Sequence, residues 1–197
     1  MKRIFILLLF FAISQANLNF AYSISPDVFI QSTVNRASQI LSENISKEEK
    51  INQLKIIAKE TVDIRGVGFY SLGAVRNDLN NDQKNTYINL FENYFLKSFS
   101  SRLSEYTNPE IEVKNKQILN NNYTIVNSVL IATDKRPEIK IDWRVYTKNP
   151  ENPLIRDLII EGLSLARTQK EEFASILNSN DGDLKVLFKI LEDFSKN

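Results

Sequence analysis

The sequence predicts an α+β domain, with helices packed on one antiparallel meander of four or five strands. Three observations carry this. Apolar residues recur every three or four positions over 26–106 and again over 168–194, the spacing of a helical face. Between 111 and 165 the period falls to two, the spacing of a strand face. Turn-forming clusters at 120–122, 134–137 and 148–153 cut that region into short runs, and short connections pair neighbours antiparallel. Helices grouped before and after a run of strands give α+β rather than alternating α/β.

Residues 1–21 stand apart from the fold. Lys2 and Arg3 precede an unbroken apolar run from Ile4 to Ile13. The run is too short for a stable membrane span and has the form of a secretory signal. Ser14-Gln15-Ala16 supplies small residues for cleavage after Ala16, with Ala21 as the fallback. Residues 17–197 then form a single exported domain, read as a monomer, of a size that supports a real core. The 25 basic and 24 acidic residues nearly balance, and loss of Lys2 and Arg3 tips the net charge to −1. No basic stripe is present, which argues against nucleic-acid binding.

The first helix is expected over 26–41, with Pro26 in its first turn and Ile30, Val34, Ala37 and Leu41 on one face. Ser46-Lys47-Glu48-Glu49 is a capping box opening a second helix, which carries Ile51, Leu54, Ala58 and Val62. Gly66 and Gly68 lack a preceding strand and a third glycine, so they do not make a nucleotide loop. They suit close packing of a short helix against a neighbour. The stretch 81–106 is the main helix, about 39 Å long at 1.5 Å per residue. Its stripe runs through Tyr87, Ile88, Phe91, Tyr94, Phe95, Phe99, Leu103 and Tyr106, Asn81 or Asp82 caps it, and 107–109 stops it. That length covers one side of a small sheet. The stripe is either solid core or, in part, the wall of an apolar cavity.

Strands follow. Ile111 and Val113 open one, and 123–132 is apolar on both faces, as in an interior strand. In 139–146, Ile139, Ile141, Trp143 and Val145 alternate with Lys140, Asp142, Arg144 and Tyr146, so one face is buried and the other wet or covered by polar contacts. The last strand, 154–165, is expected to bend at Gly162 through a bulge. Helices at 168–178 and from Asp183 onward complete the chain.

The sequence contains no His and no Cys. That removes Ser-His-Asp and Cys-His nucleophiles, His- or Cys-ligated zinc and a disulfide framework. Asp157 and Glu161 are too far apart along a strand for a glycosidase pair, and read as partners of Arg, Lys or backbone N–H. No metal or cofactor site is expected, and binding is favoured over catalysis.

Asp63-Ile64-Arg65 through Ser71-Leu72-Gly73, the aromatic helix, Trp143-Arg144 and Asp157-Leu158-Ile159-Ile160-Glu161-Gly162-Leu163-Ser164 together resemble the MlaC (toluene-tolerance) family. The resemblance spans 26–194. Asn80-Asn81-Asp82-Gln83 stands where that family has a Thr- or Ser-Pro-Glu-Gln helix start, and Gly66 and Gly68 replace bulkier or Ala-like residues. It implies a periplasmic phospholipid carrier that keeps outer-membrane lipids asymmetric. Its partners would be an outer-membrane lipoprotein–porin complex and an inner-membrane ABC transporter with a lipid-capture subunit. Acyl chains would occupy an apolar pocket between sheet and helices. Burying a chain of about 16 carbons gains on the order of 12 kcal/mol gross at about 0.8 kcal/mol per methylene. The expected wall is Phe91, Tyr94, Phe95 and Phe99 from the helix, with Val129, Ile131, Ile141, Trp143, Val145, Ile159 and Leu163 from the sheet. Enlarging Val129 to Phe is then expected to expel lipid. Two alternatives remain: an exported α+β enzyme with a lone Asp or Glu base, and a solid interaction domain without a cavity.

Overall fold

The computed structural model describes residues 23–196; the expected leader and its cleavage site lie outside them. Within these residues six α-helices accompany one sheet. Helices α1 (Pro26–Ser42), α2 (Lys47–Thr61), α3 (Ile64–Ser71) and α4 (Asn81–Leu103) precede strands β1 (Ile111–Asn120), β2 (Tyr123–Leu130), β3 (Ile139–Tyr146), β4 (Leu154–Ile160) and β5 (Leu163–Ser164). Helices α5 (Leu165–Asn178) and α6 (Leu184–Lys196) close the chain. The sheet is open and antiparallel, in the order β1-β2-β3-β4-β5. This is the α+β architecture the sequence predicts.

The caps explain most boundaries. Ser46 accepts the Glu49 N–H at 3.1 Å, which orients the start of α2. At α4 the cap is Asn80, one residue before the expected pair. Its side chain accepts the Gln83 N–H at 2.9 Å, and the Gln83 side chain accepts the Asn80 N–H at 3.0 Å. Glutamine at the third helical position thus selects the register. The helix also ends early, at Leu103. The Ser104 hydroxyl donates to the Ser101 carbonyl, offering the backbone a local alternative to the next turn, and Asn108 takes a left-handed φ of 48°.

The end of the sheet differs from the expected bulge at Gly162. Glu161 and Gly162 both have positive φ, 48° and 83°, the signature of a two-residue hairpin turn. The chain therefore reverses, β5 pairs with β4, and Ser164 caps α5 by accepting the Arg167 N–H at 3.1 Å. Helix α5 consequently starts at Leu165, before the expected 168. The strand bulge sits instead at Arg156, where the β3–β4 register shifts between Arg144 and Val145.

Gly68 lets α3 approach α4 closely, as expected. A Cβ there would lie 2.8 Å from the Phe91 ring, and the buried Tyr87 hydroxyl donates to the Gly68 carbonyl at 2.9 Å. Helix α1 crosses β1 and β2, while α3 and α5 lie against β4. Helix α4 packs on α2, α3 and α6 and does not cover the sheet as its length suggested. Apolar side chains accordingly gather in three clusters. One joins α3–α6, one joins α1 to the sheet, and one joins α1 to α2.

The first turn of α1 is tied to β1 through Asp27, which accepts from Lys116 at 2.7 Å and from Ser25. These bonds hold its carboxyl at about 2 against an ordinary 3.8. A depressed carboxylate pKa contributes stability that is complete above the ordinary value and is lost as pH falls toward the folded value. The stability difference between the protein and Asp27→Asn should therefore be constant at pH 5–7 and vanish near pH 2. The site is partly exposed, so the difference should stay below about 1 kcal/mol. Melting temperatures read across that range test it.

Candidate functional site

A cavity of about 370 Å³ lies between α4 and the sheet, where the three apolar clusters meet. Its volume falls within the range of small-molecule sites, about 300–1,000 Å³. Helix α4 contributes Phe91, Tyr94, Phe95 and Phe99. Phe95 and Phe99 stack at 5.5 Å with their planes 10° apart, and both are only half-buried, packed on one side against the α3–α6 cluster and bordering the cavity on the other. The sheet contributes Leu130, Ile141, Trp143, Ile155, Leu158 and Ile160. The Trp143 indole N–H donates to the Ser128 hydroxyl at 2.8 Å, which in turn donates to the Ile141 carbonyl at 3.0 Å. That relay satisfies every polar group on this part of the wall and leaves the ring apolar toward the cavity. Val34 and Ala37 of α1 and Leu54 and Ile57 of α2 close the far side.

One edge is polar. Tyr94 donates to the Gln169 side chain at 3.0 Å, and Gln169 donates to Glu172 at 2.9 Å. Burial, helped by the Glu172 charge, pushes the Tyr94 hydroxyl pKa up. Arg102, Ser98 and Thr168 complete this edge.

Six of the residues expected at the wall therefore surround the cavity: Phe91, Tyr94, Phe95, Phe99, Ile141 and Trp143. The other five do not border it. Val129 pairs with Lys140 and Ile159 with Asp142, so both side chains share the opposite face of the sheet. Ile131 follows the end of β2. Val145 is fully buried among residues of the α1–sheet cluster, and Leu163 is 60% exposed on β5. The contributions of α1 and α2 went unrecognised from sequence. Their apolar faces were visible, but nothing local distinguishes a face that closes a cavity from one that closes a core.

Asp157 is the buried carboxylate of the wall, at 7% exposure. One oxygen accepts from the Ser164 hydroxyl at 2.6 Å and the other from the Ala166 N–H at 3.0 Å. Both oxygens are committed to the start of α5, a structural use like the one the sequence predicted. Glu161 likewise accepts the Lys140 N–H at 2.5 Å. Among the described residues no group of acidic side chains is arranged to hold a metal ion, and no helix is long and apolar enough to cross a membrane.

Comparison with known proteins places this arrangement in context. The family model described as MlaC protein matches residues 31–193. No curated protein matches the sequence. Among solved structures, the fold is similar to that of a phospholipid-binding protein from Ralstonia solanacearum, whose structure is of a complex with a phospholipid. The two align with a TM-score of 0.73 at 16% identity, over 88% of this chain and 98% of the other.

Proposed function

The chain belongs to the MlaC protein family, and from that premise we propose that it is a phospholipid carrier whose acyl chains lie in the cavity between α4 and the sheet. The observation that carries the reading is the stand-off of α4. A long aromatic helix that lay on the sheet would make a solid core. Held away by α2, α3 and α6, it leaves Phe95, Phe99 and Trp143 lining apolar space. Such a wall binds methylene chains without catalysis, each buried CH₂ contributing about 0.8 kcal/mol. The phospholipid held by the Ralstonia solanacearum protein of like fold supports the same ligand class here.

The finer role follows the family. The chain is exported through the leader at its N-terminus and works in the periplasm as a monomer. It passes phospholipid between an outer-membrane lipoprotein–porin complex and an inner-membrane ABC transporter with a lipid-capture subunit, and so maintains outer-membrane asymmetry. Mass spectrometry of solvent extracts from the protein purified out of its source periplasm tests the ligand. Co-purified phospholipid at near-stoichiometric amount is expected. A protein that carries none, even after incubation with phospholipid vesicles, overturns the proposal.

A further inference from the structure

A second cavity of about 530 Å³ lies where α3 and the turn after it face the β1–β2 hairpin and the outer side of β3 and β4. Its wall is basic and aromatic. Arg76, Arg144 and Arg156 converge there, beside Tyr70, Leu119 and Tyr123. Two of these groups are unlike in their commitments. Arg156, at the strand bulge, donates to Asp63 at 2.6 Å and to the Tyr123 hydroxyl at 2.6 Å, and lies 3.6 Å above the Tyr146 ring. It is fixed. Arg144 is not: its Nε is buried without a hydrogen-bond partner, and among the described residues it belongs to no ion pair. Asp157 stands opposite Arg144 in the strand register but turns both oxygens to the start of α5. Arg76 is exposed at the cleft edge and, among the described residues, its side chain donates only to the Phe69 carbonyl, at 3.4 Å.

A buried donor on a permanent cation without an acceptor is unfavourable unless a ligand supplies one. Guanidinium groups bind tetrahedral and planar oxyanions through paired N–H donors. The cleft is lined by three such groups and one carboxylate, Asp157, which is already engaged by the start of α5. It also shares Val67, Arg156, Asp157 and Ala166 with the apolar cavity. We infer that this cleft is a phosphate-binding site, with Arg144 and Arg76 as the donors to the oxyanion and Arg156 as the fixed floor. The phosphate belongs either to the headgroup of a carried lipid or to a soluble phosphate ester. Only the first source rests on the carrier reading.

The test has two arms on the delipidated full chain. In one, inorganic phosphate is titrated by calorimetry into the protein, Arg144→Gln and Arg144→Lys. In the other, the same proteins are loaded from vesicles of phosphatidylglycerol or of phosphate-free diacylglycerol in a neutral carrier, and bound lipid is quantified. Saturable phosphate binding is expected, weakened about tenfold or more by Arg144→Gln and less by Arg144→Lys, in keeping with loss of a charged hydrogen bond. A headgroup source adds a comparable fall in phosphatidylglycerol loading with diacylglycerol unaffected. A soluble source leaves both lipids unaffected. Should Arg144→Gln fail to fold, the exposed Arg76→Gln gives the same readings. Absence of phosphate binding together with unchanged phosphatidylglycerol loading in the variants overturns the site. If the unaltered protein takes up neither lipid, the carrier reading falls, and phosphate titration alone still decides the cleft.

Discussion

Asp157→Ala is expected to destabilise the fold by about 2–4 kcal/mol, because it removes two hydrogen bonds and weakens a helix cap, offset in part by no longer burying the carboxyl group. The carboxylate lies under the α5 start, where it accepts from Ser164 and Ala166. Ser164 in turn accepts the Arg167 N–H, so truncation loosens the cap as well as removing the acceptor. Ala166 belongs to the same apolar cluster as Phe91 and Phe173, and a looser α5 start would let water reach it. Asp157→Asn keeps one acceptor oxygen and should lose less, about 1–2 kcal/mol. Urea unfolding gives the test. The midpoint should shift with an unchanged slope, because the surface exposed on unfolding is the same. An unshifted midpoint would show that Asp157 does not hold α5. A lost turnover at unshifted midpoint would restore the enzyme alternative.

How much of this was legible in the sequence depends on the range of the interaction. Helix α4 was legible because its apolar spacing is local and long, and β3 because Ile141, Trp143 and Val145 alternate strictly with Asp142, Arg144 and Tyr146. Strand β2 was not. Ile125 and Val129 are as apolar as Val126 and Leu130, so composition cannot say which set faces inward. The pairing of Val126 with Trp143 decides it, and it brings the polar Ser128 inward as the partner of the indole. A one-residue change of parity moves every side chain to the other face, which is why Val129 was expected at the wall and lies behind it. The reversal at Glu161-Gly162 has a related cause. A glycine in a strand pattern marks a bulge or a turn equally well, and the left-handed φ of Glu161 carries no local signal. The arginine cleft draws Arg76, Arg144 and Arg156 from separate elements, so no motif joins them.

Ala37→Phe is expected to empty the protein of phospholipid while leaving it folded. Ala37 borders the cavity from α1, is half-buried and packs at the edge of the α1–α2 cluster, so a larger side chain there extends into the cavity. A phenyl ring there excludes about four methylenes, each worth about 0.8 kcal/mol. The loss is about 3 kcal/mol, or roughly a hundredfold in affinity at 1.4 kcal/mol per tenfold. Because the ring enters a void, stability should hold or rise by about 0.5–2 kcal/mol, as in other cavity fillings. A solid core predicts the reverse, a loss of about 1–3 kcal/mol through overpacking. Val129→Phe serves as the contrast. Its side chain is on the far face of the sheet and already buried at 8% exposure, so enlargement should lower stability and leave lipid content unchanged. Bound lipid by mass spectrometry and unfolding midpoints on both variants separate these outcomes. Full occupancy in Ala37→Phe would place the acyl chains somewhere other than the space between α4 and the sheet.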